Sequence, residues 1–342
     1  MPCLRQLFLC AIFVVATSLT YAQNSQTASV RVVSPNDQVI LILSTGPAQG
    51  EPMPGPPVDS LRYAVEFHGK TLFGDSLMGL KLEGQEPLGP GMRQRNAQKG
   101  SADETYTIPV GKTSSVRDHY NSARVDFEDA KGRKLSVEAR AYDDGVAFRY
   151  VLPEQAAIKS ANVEHELTEF QYSKDATAYP LILDGFRSSY EDEYQARNVS
   201  GIHRDWLVAL PLLADVPGVG WVAVTEADID NYAGMYLRKD KPSFALRAQL
   251  APHLDPHSPA QSSIAVEADA PVTTPWRVLM IGDAPGRLVE SNIVLNLNPP
   301  SKIADTSWIV AGKSAWDWWS GEAAPSVSFT PGMNTDTMKH YI

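Results

Sequence analysis

Cysteine is almost absent from this chain: of its 342 residues only Cys3 and Cys10 carry a thiol. Both fall in the first 22 residues, which have the marks of a cleaved export signal. Arg5 supplies a positive charge, Leu7 to Ala16 an apolar run, and Thr20-Tyr21-Ala22 small residues at the −3 and −1 positions of a cleavage site. A chain cut there has no thiol, which excludes disulfide staples, thiolate metal sites and a cysteine nucleophile even in an oxidising compartment. Long apolar runs are equally scarce. Leu7 to Ala16 is about half the roughly 20 residues that a membrane-spanning helix needs, and no later stretch approaches that length, so no membrane span is expected. Leu9, beside Cys10, is too bulky for a typical lipidation signal. Runs of lysine or arginine are missing too. The formal net charge of −10 becomes −11 once Arg5 is removed, which makes nucleic acid and anionic membrane poor partners. Long amphipathic helical patterns are also absent before Pro299.

What the chain does contain is period-two alternation between turn residues. The composition, 43% hydrophobic and 20% charged, suits a folded chain whose stability comes from core burial. From Ser29 to about Asn298, short alternating segments are bounded by glycine, proline and aspartate, the pattern of half-buried strands. In Leu135 to Tyr142 the residues Leu135, Val137, Ala139 and Ala141 share one face, while Ser136, Glu138 and Arg140 share the other. Asp143-Asp144-Gly145 then predicts a tight hairpin into Val146 to Val151. Further strands are predicted at Val30–Val33, Val39–Leu43, Leu61–Phe67, Ala123–Phe127, Trp221–Thr225, Phe244–Leu250, Ile264–Ala268 and Arg277–Ile281. So many strands without alternating helices predict a mainly β fold, a large antiparallel β-sandwich. No fixed-period repeat points to a propeller or solenoid. Pro47 to Pro57 and Ala251 to Pro259 read as surface loops.

Composition changes after Pro299-Pro300. The segment Lys313 to Gly321, KSAWDWWSG, holds three of the seven tryptophans, and Asn334 to Ile342 reads as a capped helix start with Asp336 in its first turn. A strand, a long loop and a helix onset make one β–α unit, which has no core of its own. The expected organisation is a signal peptide at 1–22, a sandwich at 23–300, and at 301–342 a linker with the incomplete start of a (β/α)8 barrel.

Six segments in order carry a resemblance: SPNDQVILIL from Ser34, RDHYN at Arg117 to Asn121, YDDGVAFRY at Tyr142 to Tyr150, TEADIDNYAGMYL at Thr225 to Leu237, TPWRV at Thr274 to Val278, and LNLNPPSKIADTSWIVAGKSAWDWW from Leu295. Together they are similar to glycoside hydrolase family 97 over nearly the whole chain after the signal. The resemblance implies an N-terminal super-sandwich packed on a (β/α)8 barrel, with an all-β domain beyond it, in a periplasmic or secreted protein. It also implies hydrolysis of α-linked glucosides or galactosides with calcium assisting. Barrel enzymes place their chemistry on loops after many barrel strands, so the family's acid and base or nucleophile have no counterpart here, and the 342-residue chain is expected to be inactive alone. An alternative stays open, a non-catalytic carbohydrate-binding or accessory sandwich.

One glutamate of the family sandwich reaches a calcium site. By position in RSSYEDEYQ, Arg187 to Gln195, the resemblance makes Glu191 the first choice for it and Glu193 the second. Calcium favours carboxylate oxygens but takes six to eight ligands, so one glutamate cannot hold it. The plainer reading is that Glu191, Asp192 and Glu193 solvate a loop. Trp316, Asp317 and Trp318 suit a sugar pocket, since aromatic faces stack on sugar rings and a carboxylate accepts hydroxyl hydrogen bonds. Strand alternation puts Trp316 and Trp318 on one face and Asp317 on the other; packing against a barrel wall would explain the tryptophans equally well. Other signals are discounted. Gly312-Lys313-Ser314 lacks the earlier glycine of a phosphate loop, Ser307 standing there. His253 and His257 are separated by proline and cannot align on a helix. Glu226 and Asp228 read as turn and sheet-edge residues rather than a catalytic pair.

Overall fold

The computed structural model describes residues 28–46, 59–158, 160–253, 263–313, 324 and 326–341. The fold is mainly β and antiparallel throughout its named sheets. The larger layer runs, edge to edge, through Arg197–Asn198, Thr177–Tyr179, Leu212–Val216, Gly220–Ala227, Trp276–Gly282, Gly145–Leu152, Lys134–Tyr142, Ser115–Glu128 and Arg93–Thr107, with Val272–Thr273 added beside Gly145–Leu152. Opposite it lies a four-stranded meander of Ala28–Val33, Val39–Gly46, Ser60–Phe67 and Lys70–Leu77. A bridge between Phe73 and Tyr172, and a 3.1 Å bond from the Ser173 amide to the Leu72 carbonyl, carry that layer on into a second sheet. The second sheet comprises Glu169–Gln171, Ala245–Leu250, Met235–Arg238, Leu207–Val208 and Ile182–Leu183.

Alternation decides which side chains fill the space between layers. Val39, Leu41 and Leu43 face inward from the meander, and Val125, Val137 and Phe148 meet them from the larger sheet, all within one continuous core. Tyr63 and Phe148 cross the gap with ring centroids 4.7 Å apart, and Tyr63 donates its hydroxyl to the Glu169 carbonyl at 2.7 Å. A buried aromatic thus keeps its polar end satisfied while contributing about 2–3 kcal/mol of burial.

The strand Gly145–Leu152 is buried on both faces, because a second, smaller core covers its outer side. There Tyr142, Ala147, Trp276 and Val278 pack against Ile293 and Leu297 of a short helix, Ile293–Leu297, which follows a second one, Pro285–Glu290. These helices are too short to persist alone, and ties to the long hairpin hold them. Tyr106 donates to Asn296 Oδ1 at 2.9 Å, Asn296 Nδ2 to the Arg117 carbonyl at 3.0 Å, and Lys112 Nζ to the carbonyls of Val289, at 2.7 Å, and Ser291.

Three local expectations differ from the structure. Ile264–Ala268 forms no strand; only Val266 bridges, to Val163. Arg93–Thr107 and the first half of Ser115–Glu128 are strands with no apolar alternation, because that hairpin is largely exposed on both faces. The helices at 285–297 were likewise not expected, since each offers one or two buried apolar residues and no sustained period. Past Pro300, residues 301–313 carry no strand, and Ile303, Trp308, Ile309 and Val310 are exposed. The helix expected after Asn334 is present as Thr335–Tyr341, and Asn334 Oδ1 caps it by accepting the Thr337 amide at 2.9 Å. The start of a barrel is not visible among the described residues.

Gly145, at φ +157°, packs so closely on the neighbouring strand that a Cβ would stand 2.3 Å from the Leu279 carbonyl oxygen, whereas one on Gly286 would meet nothing within 4 Å. Gly145→Ala is expected to lower unfolding stability by roughly 1–3 kcal/mol, and Gly286→Ala to change it far less; equal urea midpoints would contradict this packing. In the 342-residue chain the segment beyond Pro300 is expected to be cut first in limited proteolysis, because its apolar residues are unprotected. Full protection of that segment would count against its exposure.

Candidate functional site

The acidic loop stands on aromatic supports. Tyr190 takes the left-handed conformation, φ 59°, and its hydroxyl donates to that of Tyr236. Burial of the hydroxyl, reinforced by the bond to Tyr236, pushes the Tyr190 phenol up. Phe186 meets the Tyr236 ring edge-on with centroids 5.1 Å apart. The loop is therefore pinned to the outer face of Met235–Arg238, over a small cluster of Leu181, Leu183, Leu207 and Ala209. Beyond these pins Glu191, Asp192 and Glu193 are exposed. Asp192 Oδ1 accepts the Glu193 amide at 2.7 Å, and neither glutamate joins an ion pair among the described residues.

Linked to the strand of Tyr236 is a charge network that is wholly buried at Arg277 and Glu166. Arg277, wholly buried, sends Nε and Nη2 to the two oxygens of Glu166 at 3.1 and 2.5 Å, and Nη1 to Glu226 at 2.6 Å. Glu166 also accepts from Tyr232 at 3.2 Å and Thr168 at 3.0 Å, and Thr168 continues to Tyr150 at 2.8 Å. Glu226 accepts the Met235 amide at 3.0 and 3.1 Å, which links this network to the strand bearing Tyr236. Burial works against the charge on Arg277, but Glu166 and Glu226 more than offset it, so the guanidinium is held charged. Glu226 is held above its usual range by burial, with Arg277 opposing. Contrary to its sequence reading, Glu226 is no sheet-edge residue: it sits in a central strand, in register with Arg277. Asp228 lies just past the end of that strand in the left-handed conformation, φ 57°, and pairs with Arg149 at 3.1 Å.

A second set of charges faces outward from the larger sheet. Arg149 and Arg140 lie over Trp276 at 4.3 and 5.0 Å from a ring centroid, and Arg140 also covers Tyr120 at 4.3 Å. Glu138 pairs with Arg124 and Arg149, both at 2.8 Å. These contacts support the small outer core. Sequence reading picked out the segments that hold them without their roles; the signal was charge at strand positions whose register neighbours carry the opposite sign.

Of the expected site residues, Glu191 and Glu193 come to an exposed, pinned loop. Trp316, Asp317 and Trp318 lie outside the described residues. Among the described residues no group of three or more histidine, aspartate or glutamate side chains could hold a metal ion. These side chains therefore form no calcium cage, although an exposed glutamate can serve as one donor to it. Among the described residues no helix is long and apolar enough to cross a membrane.

The fold is two packed antiparallel layers with an acidic loop on one outer face. The family model described as the glycosyl-hydrolase 97 N-terminal domain matches residues 32–300, and the chain belongs to glycoside hydrolase family 97. It is 29% identical over 304 residues to a retaining α-galactosidase of Bacteroides thetaiotaomicron, covering 83% of this chain and 45% of that protein. A probable retaining α-galactosidase of Streptomyces bingchenggensis is 29% identical over 275 residues, covering 80% of this chain and 40% of the relative. The chain thus spans less than half the length of either. Among solved structures, a family 97 enzyme of Pseudoalteromonas in complex with acarbose aligns with TM-score 0.70 and 28% identity, over 82% of this chain and 39% of that one.

Removing one member of a buried ion network leaves the others uncompensated. Arg277→Met is expected to destabilise the fold by about 3–5 kcal/mol, read from guanidinium unfolding, and Arg277→Lys to recover only part of that, since it cannot reproduce the fork. A parent-like midpoint for Arg277→Met would show that the network contributes little.

Proposed function

We propose that this chain carries the sandwich of an exported α-glycosidase, of α-galactosidase or α-glucosidase type, that hydrolyses α-linked oligosaccharides. The observation that carries this reading is the family 97 match over residues 32–300. The names of the relatives, retaining α-galactosidases, and the acarbose and panose complexes of the Pseudoalteromonas enzyme support the substrate class. The signal-like segment supports a periplasmic or secreted location.

In a retaining reaction an acid protonates the leaving oxygen while a second carboxylate attacks the sugar carbon, and water then releases the glycosyl intermediate. The buried carboxylates of this sandwich are unsuited to either role, because Glu166 and Glu226 are committed to Arg277. The sandwich instead braces a barrel and presents one calcium donor, Glu191, with Glu193 the second choice; the pinning of their loop by Tyr190 and Phe186 suits that task. Calcium so held would supply positive charge beside the reacting sugar. Trp316, Asp317 and Trp318 are the residues we assign to sugar contact.

The test is release of p-nitrophenol from α-galactoside and α-glucoside substrates. The purified 342-residue chain is expected to give none above the blank, while the chain extended by whatever its reading frame encodes beyond Ile342 turns over at least one of them. Turnover by the chain alone, or inactivity of the extended form on both, would contradict the reading. In the extended form Glu191→Ala is expected to weaken calcium binding at least about ten-fold, near 1.4 kcal/mol, measured by titration calorimetry. Unchanged affinity would remove Glu191 from the site.

A further inference from the structure

On the outer face of the sheet that carries Tyr236, antiparallel pairing sets Arg238 directly opposite Arg247. Like charges opposite one another on a sheet repel, so this placement needs a compensating anion. Arg247 has one, Asp240 at 2.8 Å. Arg238 has none: among the described residues its guanidinium makes no ion pair and no hydrogen bond, and its Nε is shut off from water without an acceptor. A buried donor left unpaired costs roughly 1–3 kcal/mol.

Both arginines line a cavity of about 310 Å³, shared with Glu164, His165, Phe186 and Gln249. That volume is at the small end for ligand sites and suits a single sugar ring. Burial, then Arg247, hold the His165 imidazole below its usual value, against the pull of Glu164. His165 is therefore neutral at pH 7 and offers one donor and one acceptor nitrogen rather than another cation. Glu164 lies 3.5 Å from Lys81, which offsets its charge. Among the described residues that line the cavity, the unmatched charge is the single one on Arg238, which calls for a monoanion. A guanidinium fork fits a planar carboxylate, and the Phe186 ring gives a sugar an apolar wall.

We propose that this cavity binds a hexuronic acid residue, its carboxylate on Arg238 and Arg247, its ring against Phe186, and its hydroxyls on Gln249 and His165. The inference does not depend on the α-glycosidase reading, whose substrates are neutral sugars.

Ligand-observed NMR titration of the 342-residue chain at pH 7 tests it with D-galacturonate, D-glucuronate, D-galactose, acetate and inorganic phosphate. At least one uronate is expected to bind ten-fold or more tightly than galactose, acetate and phosphate. Arg238→Gln should weaken that binding at least ten-fold, while its thermal midpoint stays at or above the parent value because one of two repelling cations is gone. Phe186→Ala, which keeps both charges, should also weaken the uronate and leave acetate unchanged. Phosphate or acetate binding as tightly as the uronates, undetectable uronate binding, or uronate affinity unchanged in Arg238→Gln and Phe186→Ala would each overturn the proposal.

Discussion

The guanidinium of Arg277 is the contact on which the rest of this sandwich depends. It projects from a central strand of the larger sheet, grips Glu226 of the adjacent strand, and reaches Glu166 in the short strand Val163–Glu166. Each partner has a further duty: Glu166 orders Tyr232 and Thr168, and Glu226 holds the Met235 amide. Arg277 and Glu166 are shut off from solvent, so their charges persist only because each is paired and hydrogen-bonded. Without a disulfide in the folded region, this network and the apolar core bear the work of fixing one layer against the other.

That arrangement has a functional consequence along the same path. Met235 begins the strand that carries Tyr236, Tyr236 receives Tyr190, and Tyr190 anchors the loop of Glu191 and Glu193. On the proposed reading, in which this loop lends a carboxylate to an ion, rigid support helps, because ordering the loop at the moment of binding would cost conformational entropy. The opposed arginines, Arg238 and Arg247, lie on the same outer face. This side of the sheet thus concentrates the charges the core does not use, whereas the far face of the larger sheet is closed by Ile293 and Leu297.

Much of the fold was legible in the sequence, for a physical reason. Where one strand face is buried and the other wetter, alternation records it, so Val39–Gly46 and Lys134–Tyr142 stand out, and Gly145 marks the turn between two of the most buried strands. Where both faces are wet, as in Arg93–Thr107, nothing in the pattern betrays the strand. The site was less legible. Glu226 looked like a sheet-edge residue because nothing local reveals that Arg277, fifty-one positions later, stands beside it; such pairing exists only once register is known. The loop of Glu191 was found through family resemblance, while its aromatic anchors, Tyr190 and Phe186, needed coordinates.

If Arg277 ties the layers together, the backbone it secures should open only when the whole domain does. Native-state hydrogen exchange of the 342-residue chain measures this at the Met235 amide and along Trp276–Gly282. Exchange in the slowest class, with a free energy equal to that of global unfolding, is the predicted result. Exchange of these amides through a local opening several kcal/mol cheaper than global unfolding would contradict the account.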